Sequence, residues 1–233
     1  EELRFADGGA LPPITYRAKA GTGRLTGVVD RVDVYEYGGV TYFRIIDYKT
    51  GRKDFDFTEL LYGGNLQMLL YMFALQNGAD TRRMQPAGTL YVPGRFDMVK
   101  LDPGEDTEKA GQLRANQLRR KGLVLRDEAI LQAMEPAADA PQYLPGEDGR
   151  VSAGQMRQLE DYVNKKVTGM VDAIFSGAVA PDPVERGPDV SACTYCDYAS
   201  VCHKDAGAVA PRRMRAVKPE EFWAELERSG AHG

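Results

Sequence analysis

Cysteine is scarce in this chain: three in 233 residues, all between positions 193 and 202. So tight a cluster builds no disulfide framework. It fits a metal site or an iron–sulfur cluster in a reducing compartment. Long apolar runs are missing too. Nothing approaches the roughly 18 residues that a membrane-spanning helix needs, and no signal peptide is visible. There is no excess of positive charge. The formal net charge is −4, which argues against a uniformly basic nucleic-acid coat. A local basic groove remains open, because phosphate steering depends on where charges sit. There is no internal repeat and no initial methionine. The chain opens Glu1-Glu2-Leu3, and the expectation is a piece excised from something longer. Its length suits one large domain or a domain with a lobe, and its composition is that of an ordinary soluble globular protein.

What is present is a strand-rich first third. Ile14 to Ala20 reads as a short strand after the Leu11-Pro12-Pro13 turn. Gly23 to Tyr37 and Val40 to Lys49 read as two arms of a hairpin turning at Gly38-Gly39. Thr58 to Asn77 reads as one helix with a broad apolar stripe (Leu60, Leu61, Leu66, Leu69, Leu70, Phe73 and Ala74), stopped at Gly78. Thr89 to Pro93 and Phe96 to Leu101 read as strands, and Asp106 to Lys121 and Arg126 to Met134 as helices. Ala137 to Arg150 reads as a loop. Ser152 to Phe175 reads as a long helix capped by Ser152. A proline-rich connector from Gly177 to Ser191 leads to the cysteines, and Pro219 to Arg228 closes the chain as a short helix. Strand, strand, helix, strand is an α/β order.

Within the hairpin, Asp47 and Lys49 are two apart on one strand, so their side chains share a face. Asp30 occupies the matching place on the preceding arm, in Gly27-Val28-Val29-Asp30. Charge on a mostly apolar strand is costly unless it binds something. Two carboxylates plus the backbone carbonyl of Tyr48 would leave a magnesium ion room for waters and a phosphate oxygen. Lys49 can orient the attacking water or neutralise the phosphate. That set is equipment for cutting a phosphodiester. The bland reading is a surface hairpin with an Asp47–Lys49 salt bridge. Arg31 is expected to pair with a carboxylate and Asp33 to be structural.

Gln67 and Tyr71 are four apart on a helix and share a face. Either Gln67 bonds a phosphate or the attacking water and Tyr71 the backbone, or both are buried groups satisfied by loop carbonyls. Cys193-X-X-Cys196 and Cys202 give three thiolates, and zinc or an iron–sulfur cluster usually takes four ligands. His203 is a poor fourth ligand because it adjoins Cys202. No strand precedes the cysteines, which excludes a thioredoxin-like redox site. The basic run Arg212, Arg213, Arg215 and Lys218 reads as a solvated tail.

Three segments together resemble the RecB-like branch of the PD-(D/E)XK nucleases: Gly27-Val-Val-Asp30-Arg-Val-Asp33, Ile46-Asp47-Tyr48-Lys49-Thr50-Gly51 and Gln67-Met-Leu-Leu-Tyr71. With the cysteine triplet, the chain looks like the C-terminal nuclease domain of the AddB subunits of bacterial ATP-dependent helicase–nucleases. The likeness runs from about Leu3 to His203. It implies a restriction-endonuclease-like core, a central mixed sheet flanked by helices. It implies Mg²⁺-dependent cleavage of the unwound 5′-ended single strand at a double-strand break, in the cytoplasm, with single- and double-stranded DNA ends and the AddA helicase–nuclease subunit as partners. Asp30 and Asp47 would be metal ligands, Lys49 the catalytic lysine, and Gln67 and Tyr71 the helix motif. Cys193, Cys196 and Cys202 would be three of four ligands of a 4Fe-4S cluster. On this reading residues 1–192 are the nuclease core and 193–233 the cysteine-containing part of an iron–sulfur staple.

The family's fourth cysteine and one further helix bearing an active-site group lie upstream of the core and have no counterpart here. The expectation is that this chain alone holds no intact cluster and is a weak or inactive nuclease. Two alternatives share the fold. A CRISPR-associated RecB-like single-strand nuclease would carry its fourth cysteine near the N-terminus, where this chain has none. A non-catalytic DNA-binding remnant would tend to lose one of Asp30, Asp47 or Lys49, and all three are present.

Overall fold

A computed structural model describes residues 2–51, 53–78, 84–95, 97–102, 104, 107–135, 143–187, 190–203, 207 and 209–230. The elements in chain order begin with β1 (Leu3–Phe5), β2 (Ile14–Arg17), β3 (Thr22–Leu25), β4 (Gly27–Val29), β5 (Arg31–Tyr37) and β6 (Val40–Lys49). Then come α1 (Phe57–Leu61), α2 (Gln67–Gly78), β7 (Met84–Pro93), α3 (Thr107–Leu118), β8 (Lys121–Leu125), α4 (Glu128–Met134), β9 (Arg150–Val151) and α5 (Ala153–Phe175). β10 (Val184–Gly187), β11 (Val190–Ser191), α6 (Ala199–Cys202), β12 (Arg212–Arg213) and α7 (Pro219–Gly230) complete it.

The chain forms two compact units. The first comprises Glu1–Thr15, Arg24–Phe55 and Leu66–Asn164, and the second Tyr16–Gly23, Asp56–Asn65 and Lys165–Gly233.

The first unit is built on a five-stranded sheet of order β5-β6-β7-β8-β9. The β5–β6 and β7–β8 pairs are antiparallel, while β6–β7 and β8–β9 are parallel. The sheet is therefore mixed, as the resemblance implied. Gly38 and Gly39 take φ of +58° and +76°, which only glycine adopts freely, and they close the β5–β6 hairpin. One face carries a cluster of Leu90, Val124, Ile130, Leu131 and Met134, so α4 packs there. Thr89 and Tyr91 flank Leu90 and point the other way. Their register partners in β6 are Ile45 and Asp47, which share that second face. α2 packs on β6 and β7.

Several boundaries differ from the sequence expectations. The Gly23–Tyr37 arm is three strands, because β4 leaves the hairpin to pair with β1. The single helix expected over 58–77 is two, α1 and α2. Gly63 and Asn65 between them have φ of +87° and +55°, which no helix accommodates. β7 starts earlier than expected, at Met84, since its register with β6 shifts next to Pro86 and a bulge tolerates proline in a central strand. Lys121–Leu125 is a strand rather than a helix end. Gly122 there has φ +141°, and a Cβ would lie 2.0 Å from the Thr89 carbonyl oxygen. The connector expected over 177–191 carries β10 and β11, so short strands do precede the cysteines. Residues 97–101 are not a strand; Met98 is 89% exposed and has no sheet to join. Phe96, Asp106 and residues 137–142 lie outside the described residues.

Ser152 caps α5 as expected: Gln155 N–H donates to Ser152 Oγ at 3.1 Å and Ser152 N–H to Gln155 Oε1 at 2.9 Å.

In the second unit, α1 and α7 pack through Phe57, Phe222 and Trp223, with Phe57–Phe222 ring centroids 5.0 Å apart. Asp56 caps α1 and pairs with Arg186. The basic run is not a solvated tail. β12 pairs with β10, Arg212 bonds Asp182 at 2.6 Å, Arg215 N–H donates to the Tyr62 hydroxyl at 3.1 Å, and Val217 N–H donates to Thr58 Oγ1 at 3.0 Å. Arginine-to-carboxylate pairs and main-chain bonds hold it in the fold.

Candidate active site

The β5–β6 register pairs Arg31 with Ile46, so one further step sets Asp30 opposite Asp47. Asp30 sits at the bend between β4 and β5, where its carboxylate reaches the neighbouring strand. Tyr48 N–H donates to Asp30 Oδ2 at 3.0 Å. A backbone donor thus fixes one oxygen of Asp30 beside the strand that carries Asp47 and Lys49.

Asp47 and Lys49 share one face, as the period of two required, and the ion pair of the bland reading exists. Lys49 Nζ lies 2.7 Å from Asp47 Oδ2. That oxygen is buried and has no partner beyond this ion pair. The side chain of Asp47 is 14% exposed and that of Lys49 37%. A buried carboxylate oxygen whose one partner is a lysine ammonium keeps acceptor capacity for a cation. Lys49 is held in place by its main chain, whose carbonyl accepts from Gly94 N–H at 2.8 Å.

Tyr48 points to the opposite face and is 48% exposed. Its hydroxyl accepts from Arg31 at 3.2 Å. Arg31 and Arg44 converge on Asp33, at 2.6 and 2.9 Å. Arg31 therefore pairs with a carboxylate. Burial pushes the Asp33 carboxyl up, but its bonds to the two arginines outweigh this and hold it below its ordinary value. A carboxyl lowered on folding stabilises the fold above its unfolded value and loses that contribution as pH falls through the lowered one. Asp33→Asn is therefore expected to melt below the parent at neutral pH. The gap should close as pH drops below about 4. Thermal melts across that range check it, and a pH-independent gap would contradict it.

Gln67 and Tyr71 face each other along α2, with Gln67 Nε2 donating to Tyr71 Oη at 3.3 Å. Tyr71 is 8% exposed and stacks on Phe5 at 5.6 Å. Its ring lies on Gly27: a Cβ there would sit 2.0 Å from Tyr71 Oη. The glycine that opens Gly27-Val-Val-Asp30 is thus the seat of the tyrosine that ends Gln67-X-X-X-Tyr71. Phe5 and Gly27 are parts of this arrangement that the sequence did not disclose. No local pattern announces a contact between a strand and a helix so far along the chain.

Among the described residues, no three His, Cys, Asp or Glu side chains lie close enough together to hold one metal ion. Two carboxylates suffice for magnesium, which keeps several waters and takes phosphate oxygens. The pair Asp30 and Asp47, with the acceptor capacity left on the Asp47 oxygen, fits that ion. Cys193, Cys196 and Cys202 form no disulfide. Cys196 N–H donates to the Cys193 carbonyl at 3.2 Å in a short 3₁₀ turn over Ala192–Tyr195, and Cys202 ends α6. These three are not gathered around a common centre.

No helix among the described residues is long and apolar enough to cross a membrane.

Comparison with known families matches residues 1–203 to the PD-(D/E)XK nuclease superfamily. The chain is 34% identical over 242 residues to the AddB subunit of the ATP-dependent helicase/deoxyribonuclease of Symbiobacterium thermophilum, covering 96% of this chain and 20% of the relative. It is 33% identical over 241 residues to the protein of the same name from Moorella thermoacetica, covering 95% and 21%. The Thermoanaerobacter sp. protein is 30% identical over 243 residues, covering 97% and 21%. The chain spans about a fifth of the length of these relatives.

Proposed function

We propose a function from one premise: this chain belongs to the PD-(D/E)XK nuclease superfamily. It is a magnesium-dependent deoxyribonuclease domain that cuts the 5′-ended strand unwound at a double-strand break, as part of a bacterial helicase–nuclease in recombinational repair. The observation that carries this reading is the buried Oδ2 of Asp47, paired only with Lys49 on the strand whose backbone fixes Asp30. Asp30 and Asp47 would hold the ion, with the Tyr48 carbonyl as a third protein oxygen. Bound magnesium supplies positive charge to the phosphate and a water of lowered pKa. Lys49 orients the attacking water or neutralises the phosphate under attack. Gln67 reaches the phosphate or that water, and Tyr71 anchors Gln67 to β4.

The relatives' name joins a helicase and a deoxyribonuclease in one enzyme, of which each relative is one subunit. That supports a partner subunit of the AddA type, DNA ends as the substrate of the assembly and a cytoplasmic setting. We assign residues 1–192 to the nuclease core and 193–233 to the iron–sulfur staple. Cys193, Cys196 and Cys202 are three of its four thiolates, the fourth supplied from elsewhere in a longer protein, and the Cys-X-X-Cys turn supports this. The chemistry at Asp47 has no step through that cluster.

The test is single-turnover cleavage of an end-labelled DNA strand by this chain, in excess protein so that a weak enzyme registers. Products are expected with Mg²⁺ and not with EDTA. Equal cleavage in both, or none in either, overturns the reading.

A further inference from the structure

Beside Lys49 the first unit opens into a cleft of about 830 Å³. Its walls come from the described residues after β6, the end of β7, Arg95 and residues 97–100, and α3 with the start of β8. Six cationic side chains line it: Lys49, Lys53, Arg95, Lys100, Arg119 and Lys121. Only two carboxylates oppose them, Asp54 and Asp97, so the described lining carries net +4 in a chain of net −4. One of the two, Asp54, is spent on an ion pair with Lys121 at 3.3 Å. Arg95, Lys100 and Arg119 are exposed, the first two on the segment after β7 and the third just after α3. Gln117 is on the wall, and its Oε1 is buried with no hydrogen-bond partner.

We propose that this cleft is the track for the backbone of a single nucleic-acid strand leading to the phosphate cut beside Lys49, gripped by charge and without reading bases. The inference deepens the nuclease reading and rests on it. Concentrated positive charge in an otherwise acidic chain is the footprint of a polyanion site. The cleft starts at the proposed catalytic lysine, so a strand lying in it delivers a phosphate there. Among the described lining residues the only aromatic is Tyr91, 6% exposed, which offers no face for a base to stack on. Base preference in single-strand grooves comes from stacking, and the described lining offers no surface for it. The charges also come from well-separated parts of the chain, which is why no basic run announced them.

The test is the salt dependence of binding of a fluorescent oligo-dT strand to this chain in EDTA, where no cutting occurs. Single strands lose affinity with a slope of about −0.7 per phosphate neutralised. The triple variant Arg95→Ala, Lys100→Ala, Arg119→Ala is expected to flatten the slope by about 2. It should also raise the half-saturating protein concentration for single-turnover cleavage about tenfold, with the plateau rate within about twofold. Lys100→Glu, a single exposed change, should act in the same direction and guards against a folding defect in the triple. Mixed-sequence strands should bind within about threefold of oligo-dT. An unchanged slope in both variants, a plateau rate lost with the slope unchanged, or a strong base preference overturns the proposal. The two readings part cleanly. Asp47→Asn that stops cutting but keeps the parent's slope supports both. A parent that binds with the steep slope but shows no magnesium-dependent cutting sinks the nuclease reading alone.

Discussion

Asp47→Asn is expected to lower the single-turnover cleavage rate about 10³-fold, some 4 kcal/mol of barrier, while the melting temperature stays within about 2 °C of the parent. Two roles for Asp47 compete, and they predict opposite patterns. If its work is the Lys49 ion pair, asparagine removes an attraction, so stability drops and cutting survives. If its work is to hold a cation, asparagine removes one of two anionic ligands, and the rate collapses. Stability decides between them because the Asp47 oxygen is badly served in the fold. It is buried, and its one partner is an ammonium that is itself 37% exposed. Neutralising a half-desolvated carboxylate of that kind costs the fold little, since the lost attraction is offset by lost desolvation. Lys49→Ala should match the rate loss. Lys49→Arg should not restore it, because a planar guanidinium cannot reproduce a point charge on a flexible stem. Circular-dichroism melts beside the cleavage assay check the pattern. A destabilised Asp47→Asn variant that cuts like the parent would return the pair to an ordinary surface salt bridge.

Much of the catalytic hairpin was legible because its signals are local. Gly38-Gly39 names the turn, and a period of two places Asp47 and Lys49 together. Ser152 and Gln155 form a capping box within four residues, so the start of α5 was readable as well. What was not legible depends on partners far along the chain. The apolar stripe that suggested one helix over 58–77 runs on through Leu60, Leu61 and Leu66, although the backbone breaks at Gly63 and Asn65. β8 is a short apolar run directly after a helix, and periodicity alone does not separate a buried strand from a helix end. The basic run looked solvated because Asp182, Glu185 and Thr58, which hold it, lie elsewhere in the sequence. The cationic cleft was invisible for the same reason.

Gly27→Ala is expected to destabilise the chain by about 1–3 kcal/mol and to slow cleavage about 10²-fold, though Gly27 touches neither metal nor substrate. Its φ is not in the left-handed region, so the backbone tolerates alanine. The conflict is space. The new methyl would sit 2.0 Å from Tyr71 Oη and 2.6 Å from Cζ. The tyrosine cannot swing clear. Its ring is 8% exposed and stacked on Phe5, itself 3% exposed and paired with Gly27 across the β1–β4 ladder. Either the ring or β4 must move, and β4 ends where Asp30 begins. A small shift there carries Asp30, one of the two carboxylates proposed to hold the metal, off its position, which is why rate and stability are expected to fall together. Tyr71→Phe discriminates this from a general loosening. By itself it forfeits one 3.3 Å bond to Gln67 and should cost about 1 kcal/mol or less. Added to Gly27→Ala it removes the nearest clashing atom and leaves two ring carbons, Cζ at 2.6 Å and Cε1 at 2.8 Å. The double variant should therefore be more stable than the sum of the singles by at least about 1 kcal/mol and recover part of the rate. Urea denaturation of the four-member cycle measures that coupling. Strict additivity would mean that the glycine and the tyrosine do not act on each other, and the link between the two motifs would be gone.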